Sequence, residues 1–330
     1  MCHDERMTAH RFQQVDVFSA VALRGNPLAV VFDAQNLSTE AMQLYAQWTN
    51  LSETSFIEAP TNPAADVKVR IFTVSTELSF AGHPILGAVH AWLNAGGRPK
   101  ATGRVNVECQ RGIIEVMINE DKRSLTNLAF RAPELLRTGP LEDDVLEWAI
   151  SALGISPDAV VAHNWIANGP QWAGLMLRSA DEVLAIEPDY KDLEGLEVGV
   201  IGPHLPASEA DLLTKRKKQA KPRKPGARAE LEPLETTDPN VFDSEIAKAP
   251  ADYEVRAFVS GEGQPEDPAT GSLNAGFGVW LTDAGLAPSS YLVRQGTRLG
   301  RAGLIGISAK DDGVWVAGDC QTVIEGSVNI

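Results

Sequence analysis

The sequence lacks the features that would place it in a membrane or in a disulfide-bonded secreted protein. No apolar run reaches the roughly 18 residues that a membrane-spanning helix needs. The first residues, MCHDERMTAH, have no apolar core of the kind found in a secretory signal peptide. The three cysteines, Cys2, Cys109 and Cys320, form no CxxC pair, which favours reduced thiols. These absences predict a soluble cytoplasmic protein without disulfide bonds.

Motifs for nucleotide cofactors and for metal ions are also missing. The chain contains no GxxxxGK[ST] loop, no GxGxxG sequence that opens a helix after a strand, and no GxSxG elbow. His83 and His90 are seven residues apart and would share a helix face, but no third ligand accompanies them. We therefore expect neither a cofactor nor a metal site.

Positive charge is scarce in this chain except in one segment. The 330 residues carry 29 Lys and Arg against 44 Asp and Glu, a net charge of −15. This balance argues against general binding to nucleic acid or to an acidic membrane, and the length fits two domains of about 150 residues. Within residues 205–250, KRKKQAKPRKPGAR precedes the acidic AELEPLETTDP. We expect a charged insertion or loop there, either solvated with its charge blocks paired or serving as a nucleic-acid arm.

Two small-residue helices with matching N-terminal sequences organise the chain. The segment Pro265–Gly285 is PEDPATGSLNAGFGVWLTDAG, and its second proline predicts that a helix begins just after it. The segment ELSFAGHPILGAVHAWL has the same order of acidic residue, glycine turn, polar residue and apolar helix ending in Trp-Leu. We infer an internal duplication in which both helices face one site. The predicted halves are residues 8–126, with a central helix from His83, and residues 127–330, with a central helix from Ser272.

A carboxylate placed beside these helix ends could carry out acid-base chemistry. The free N–H groups at the start of a helix bind carboxylates or phosphates, and here they follow Gly82 and Gly271. Glu53 begins a predicted strand and shares its face with an apolar residue, so it lies either at a rim in water or in a pocket that raises its pKa. Glu53 would move a proton, while His83 and Asp267 orient the substrate or act as the second proton carrier.

Six motifs in the same order make the chain resemble the PhzF family of phenazine-biosynthesis-like proteins, which share the fold of diaminopimelate epimerase. They are RGNPLAVV, NLSETSFI, ELSFAGHPILGA, NGPQW, EDPATGSLNAG and QGTRLGRAG, and they span nearly the whole chain from Phe12. The resemblance implies an α+β fold of two pseudo-symmetric halves. Each half would be a curled, barrel-like mixed sheet around a central helix, with the active site in the cleft between. It also implies a homodimeric isomerase that needs no cofactor.

The resemblance assigns roles to particular residues. In the characterised phenazine enzyme a glutamate isomerises a dihydro-hydroxyanthranilate by proton transfer, and that glutamate falls on Glu53. The expected catalytic residues are Glu53, His83 and Asp267. The residues expected to bind a small carboxylated substrate are Asn26, Ser52, Gly82, Thr270, Gly271 and Ser272.

Other reactions on the same fold are weighed against the isomerase. The related epimerases and proline racemases use two cysteines at the starts of the central helices. Ala81 and Thr270 occupy those positions here, which disfavours a two-thiol racemase. Two alternatives stay open. One is a non-catalytic binding or interaction protein, motivated by the basic insertion. The other is a lyase in which the same glutamate expels water or ammonia from a carboxylated substrate.

Overall fold

A computed structural model describes residues 8–119, 128–204, 251–259 and 265–330. The predicted charged insertion at residues 205–250 lies outside the described residues, as do Cys2 and the predicted boundary between the halves. The described part is mixed α and β, with one large curled sheet. None of the helices in it is long and apolar enough to cross a membrane.

Strands are more numerous than helices in the described residues. The strands are β1 (Ala9–Val17), β2 (Asn26–Val31), β3 (Glu53–Glu58), β4 (Val67–Phe72), β5 (Glu77–Leu78), β6 (Arg104–Cys109), β7 (Gly112–Ile118), β8 (Leu128–Arg131), β9 (Arg137–Gly139), β10 (Val160–Ala167), β11 (Trp172–Leu177), β12 (Glu197–Pro203), β13 (Tyr253–Phe258), β14 (Glu266–Asp267), β15 (Ser290–Gln295), β16 (Gly303–Lys310), β17 (Gly313–Gly318) and β18 (Cys320–Asn329). The helices are α1 (Thr39–Thr49), α2 (Gly82–Asn94), α3 (Asp143–Leu153), α4 (Ala180–Leu184) and α5 (Gly271–Asp283). Short 3-10 turns lie at Ala34–Asn36, Pro157–Ala159 and Thr297–Leu299.

Strand pairing follows the same order twice along the chain. In the first series β1–β2 is antiparallel, β2–β3 parallel, β3–β4 antiparallel, β4–β6 parallel and β6–β7 antiparallel. In the second series β10–β11, β11–β12, β12–β13, β13–β15 and β15–β16 have the same senses in the same order. The short strands β5 and β14 pair antiparallel with the ends of β4 and β13 and lead into α2 and α5. The two central helices therefore occupy the same place in each series.

The two series join into one continuous sheet. β8, which the predicted boundary places in the second half, pairs with β7 on one side and with β17 on the other. β18 returns to pair with β1, and β9 pairs with β10. The family resemblance implies a curled, barrel-like sheet in each half, and the observed sheet is curled but not closed. Its pairing order ends at β18 and β9, which do not pair with each other within the described residues.

Local sequence signals account for where several helices begin and end. The Ser38 hydroxyl accepts a hydrogen bond from the Ala41 amide at 3.1 Å and so caps α1. α1 ends at Asn50, whose φ is 55°, and α3 ends at Gly154, whose φ is 63°. Both residue types tolerate this left-handed backbone, which explains why each helix stops there.

The small residues of the central helices allow the sheet to approach closely. α2 packs against β1, β2, β3 and β8, and α5 packs against β10, β16 and β17. A Cβ atom added to Gly87 in α2 would lie 2.5 Å from the Leu28 side chain. A Cβ atom added to Gly276 in α5 would lie 2.6 Å from the Ile166 carbonyl oxygen. Burial on most sides thus explains the composition that the sequence shows.

Replacing Gly276 by alanine tests this packing. We expect Gly276→Ala to lower the free energy of unfolding by about 1–3 kcal/mol, because the new methyl overlaps main-chain atoms of β10 that cannot rotate away. The gain of about 1 kcal/mol in helix propensity is too small to offset that overlap. Urea unfolding measures the change. Gly326→Ala is the matched control, since an added Cβ there has no heavy atom within 4 Å. A Gly276→Ala protein as stable as this control would contradict the expectation.

Candidate active site

The N-termini of α2 and α5 meet in direct backbone contact. A Cβ atom added to Gly82 would lie 2.7 Å from the Gly271 Cα, and one added to Gly271 would lie 2.9 Å from the main-chain nitrogen of His83. Only glycine fits at both positions. Ala81 and Thr270 are the residues that precede the two helices. The first N–H groups of two helices, with their partial positive charge, are therefore concentrated in one place, as the sequence predicts.

Glu53 and His83 face each other at this junction. Glu53 is the first residue of β3, and its Oε2 lies 3.3 Å from Nε2 of His83 in the first turn of α2. The exposed fractions of the two side chains are 15% and 2%. Among the described residues, neither of these two atoms has an aligned hydrogen bond. A carboxyl group and an imidazole thus lie in contact, with polar atoms available to a ligand.

Burial opposes the charged form of both of these groups. Burial raises the pKa of Glu53 well above its usual range, and the negative charges of Asp267 and Glu197 raise it further. Burial lowers the pKa of His83 to about 3. The imidazole is therefore neutral near neutral pH, and its contact with Glu53 is not an ion pair. Of the two settings that the sequence left open for Glu53, the structure has the pocket with a raised pKa.

Asp267 lies at the same junction in a more polar setting. Its Oδ1 accepts hydrogen bonds from Asn26 Nδ2 at 2.8 Å and from Ser52 Oγ at 3.5 Å. Its Oδ2 accepts one from the Thr270 hydroxyl at 2.5 Å. Burial raises the pKa of Asp267 to about 6, while these donors hold it down and the charge of Glu266 raises it. Asp267 is consequently the site acid that ionises near neutral pH.

Asn26 contacts both His83 and Asp267. Its buried side-chain nitrogen lies 3.4 Å from His83 Nδ1, in addition to its bond to Asp267, and donates to the Ala269 carbonyl at 2.9 Å. Asn26 follows a turn and begins β2, and its amide is directed into the site.

Gln295 holds the start of α5, and sequence reasoning missed it. Its Nε2 donates to the Asp267 carbonyl at 2.9 Å and to the Thr270 hydroxyl at 2.8 Å. Its Oε1 accepts from the Thr270 amide at 3.0 Å and from Asn274 Nδ2 at 2.8 Å. The Thr270 hydroxyl bonds to Asp267 and does not cap the helix by its side chain. The available signal was the position of Gln295 at the start of the motif QGTRLGRAG.

Ser272 is held by the loop that carries the motif NGPQW. The Ser272 hydroxyl accepts a hydrogen bond from Trp172 Nε1 at 3.2 Å, and its carbonyl accepts one from Asn168 Nδ2 at 2.8 Å. A Cβ atom added to Gly169 would lie 3.1 Å from the Phe80 carbonyl oxygen, just before α2. This loop therefore connects the two central helices, a role that the motif alone did not reveal.

Glu197 is a further carboxylate of the site that sequence reasoning missed. It is the first residue of β12, as Glu53 is of β3, and its Oε2 accepts the Gln171 amide at 2.8 Å. Burial raises the pKa of Glu197, and its charge raises that of Glu53. The segment LEVGVIG has an acid near its start, as NLSETSFI does, and this was the available signal.

The structure gathers the predicted site residues around the two helix N-termini. These are Asn26, Ser52, Glu53, Gly82, His83, Asp267, Thr270, Gly271 and Ser272. His90 is separate from them, because its Nε2 lies 3.0 Å from Thr322 Oγ1 on β18 and 2.9 Å from Asn94 Nδ2. The site is thus a cluster of buried acids, amides and one neutral imidazole.

Comparison with known proteins identifies the family of this chain. The family model described as phenazine biosynthesis-like protein matches residues 15–326. The chain belongs to this family. A solved PhzF-family structure from Enterococcus faecalis shares the fold, with a TM-score of 0.68, 20% identity, and coverage of 98% of this chain and 100% of that one. The expected family is therefore confirmed, and so is the mixed α and β fold with its curled sheet.

Two curated relatives differ in what their names say. Antisense-enhancing sequence 1 of Schizosaccharomyces pombe is 33% identical to this phenazine biosynthesis-like protein, covering 97% of this chain and 99% of the relative. A trans-2,3-dihydro-3-hydroxyanthranilate isomerase of Pseudomonas fluorescens is 36% identical over 184 residues, which are 56% of this chain and 63% of that enzyme. The second match thus spans less than two thirds of the enzyme. Several curated relatives are named isomerases, and this places the chain among the isomerases as a class.

Removal of the Glu197 charge should lower the pKa of Glu53. We expect Glu197→Gln to do so because a negative charge nearby disfavours ionisation of a second carboxyl group. Titration of ¹³C-labelled glutamate carboxyl groups by NMR measures the shift without any substrate. Glu194→Gln, an exposed change close by on the chain, is the control. An unchanged Glu53 titration in Glu197→Gln would contradict the expectation.

Asp267 should make stability depend on pH in a defined window. Its pKa is about 6 in the folded protein against an ordinary value of 3.8, so the folded state binds the proton more tightly. Its contribution to stability is therefore fully present below about pH 4 and is lost as the pH rises through about 6. Glu53→Gln removes the titration of Glu53. Comparing this variant with the double variant Glu53→Gln/Asp267→Asn therefore leaves only the effect of Asp267. Urea unfolding between pH 4 and 7 should show the first protein losing stability relative to the second, and parallel curves would refute the expectation.

Proposed function

We propose that this protein is a cofactor-independent isomerase that moves a proton on a small carboxylated substrate, with Glu53 as the general acid and base. The observation that carries the proposal is the contact of Glu53, whose pKa burial raises, with neutral His83 beside two helix N-termini. An acid whose pKa is raised towards neutrality can both give and take a proton at physiological pH. Neither an oxidant nor a reductant is needed, because the proton leaves one atom of the substrate and returns to another.

The two helix ends would hold the substrate carboxylate. In this proposal the N–H groups after Gly82 and Gly271 bind the carboxylate, since helix N-termini attract anions. The hydroxyls of Ser52, Thr270 and Ser272 would add polar contacts to the substrate. The Asn26 amide, already bonded to Asp267, would line the same surface. His83 and Asp267 would orient the substrate or act as the second proton carrier.

The relatives and the strand order support narrower proposals. The name of the Pseudomonas fluorescens relative suggests a cyclic amino acid as the class of substrate. The repeated order of strand pairing supports two duplicated halves, residues 8–126 and 127–330, with the site in the cleft between their central helices. The family resemblance implies a homodimer, and a cytoplasmic location stays a prediction from composition.

Proton exchange in deuterated water tests the proposed chemistry. Wild-type protein should introduce deuterium into at least one member of a panel of cyclic and amino carboxylic acids, as followed by NMR. Glu53→Gln should slow this exchange by at least about a hundred-fold, because a general acid-base group contributes that much or more. The matched control is Glu58→Gln at the other end of β3, where Glu58 lies 2.8 Å from Lys68 and outside the site. Undiminished exchange in Glu53→Gln would refute the role of this glutamate.

The same experiment separates the alternative functions. A lyase would release water or ammonia, so mass spectrometry of the product would show a loss of mass that isomerisation does not produce. A non-catalytic binding protein would cause no exchange in any compound. The name of the Schizosaccharomyces pombe relative, which refers to antisense enhancement and not to an enzyme, is the observation that favours this second function. Wild-type exchange with one compound would decide for catalysis.

A further inference from the structure

A buried arginine holds the strand that carries Asp267. Arg256 on β13 donates two parallel hydrogen bonds to Glu266 on β14, from Nε to Oε1 at 2.9 Å and from Nη2 to Oε2 at 2.7 Å. Both side chains are 3% exposed, and the guanidinium lies 4.7 Å from the ring centre of Phe258. Its Nη1 also donates to the Ile186 carbonyl at 2.6 Å, just beyond α4. We call this two-bond Arg–Glu pair the second fork.

The same arrangement occurs before the other central helix. Arg70 on β4 donates to Glu77 on β5, from Nε at 2.8 Å and from Nη2 at 2.7 Å, and lies 5.1 Å from the ring centre of Phe72. We call this pair the first fork. In each case the phenylalanine two residues after the arginine is the cross-strand partner of the glutamate. The glutamate of each fork lies five residues before the glycine that opens the central helix. The forks are therefore equivalent in sequence spacing and in strand register.

The residue that follows the glutamate differs between the two forks. Leu78 follows Glu77, whereas Asp267 follows Glu266. We propose that Arg256 is a positioning residue for Asp267, and that its two bonds to Glu266 determine where the Asp267 carboxylate lies at the start of α5. The first fork, which is followed by an apolar side chain, serves the fold alone. The proposal rests on the proposed function only in assuming that Asp267 takes part in the reaction.

The geometry around β14 explains why such a device is needed. β14 has only two residues, so backbone pairing with β13 constrains it weakly. On the α5 side, Gln295 holds the Asp267 carbonyl at 2.9 Å. On the other side, the bonds of Arg256 to Glu266 tie the strand to β13 and to the end of α4. The main chain that carries the Asp267 carboxylate is thus held from both directions.

The chemistry of the pair also favours positioning over stability. Burying an ion pair removes two charges from water, and the desolvation penalty often cancels the attraction between them. A planar guanidinium that makes two parallel bonds nevertheless allows one orientation of its partner, which lysine does not impose. The second fork therefore contributes geometry at a place where a displacement of about 1 Å can cost as much as a hundred-fold in rate.

The same substitution in both forks tests the proposal. Arg256→Lys keeps the charge and loses the two-bond geometry, and Arg70→Lys does the same in the first fork. With the carboxylic acid that shows the fastest wild-type exchange, Arg256→Lys should lower kcat at least about ten-fold and change KM less than about three-fold. Arg70→Lys should leave kcat within about three-fold of wild type. Equal losses of kcat in the two variants, or a wild-type kcat in Arg256→Lys, would overturn the proposal.

Amide hydrogen exchange supplies a readout that needs no substrate. In Arg256→Lys the peptide covering residues 265–272 should exchange at least about ten-fold faster than in wild type, while the peptide covering α2 stays unchanged. Unchanged exchange at residues 265–272 would overturn the proposal even if wild-type protein proved inactive on every compound. If Arg256→Lys does not fold, Glu266→Gln is compared with Glu77→Gln instead. The same results are expected, and the same outcomes would overturn the proposal.

Discussion

The direct contact of the two central helices at Gly82 and Gly271 is the constraint on which the site depends. Two helix N-termini side by side concentrate partial positive charge and free N–H groups in a place that is mostly shielded from water. Such a junction is favourable when a negative charge lies beside it. Asp267, whose pKa of about 6 leaves it ionised at neutral pH, provides one such charge. A substrate carboxylate would enter the same field, which is the physical reason to expect an anionic ligand.

The number of hydrogen-bond donors separates the two acids at this junction. Asp267 receives bonds from Asn26, Ser52 and Thr270, and donors of this kind stabilise a carboxylate. Burial and the charge of Asp267 raise the pKa of Glu53, which faces neutral His83 and whose Oε2 has no such donor among the described residues. In the proposed chemistry this difference suits Glu53 to carry the proton and Asp267 to orient the substrate or act as the second proton carrier. The asymmetry of donors thus matches the asymmetry of the proposed chemistry.

The sequence predicts the residues whose signals are local and misses those whose contacts depend on strand pairing. Glu53 and Asp267 lie where a strand or turn begins, and caps and helix breakers mark α1 and α3, so short motifs reveal them. Gln295 reaches the site only because β15 runs beside β13, and Glu197 only because β12 runs beside β11. Alternating hydrophobicity identifies strands but does not say which strands are neighbours. The pairing of β18 with β1, and of β8 with both β7 and β17, was unpredictable for the same reason.

The repeated strand order explains how one site can be built from two similar frames and still be asymmetric. Glu53 and Glu197 occupy the same position, the first residue of the strand that runs parallel to its predecessor. Glu53 meets His83, whereas Glu197 accepts the Gln171 amide, a bond that favours its ionised form. The two glutamates therefore differ in what they contact, although burial raises the pKa of both. A two-base racemase would place a proton carrier on each side of the substrate, and the different surroundings of Glu53 and Glu197 make these two residues unequal in that role.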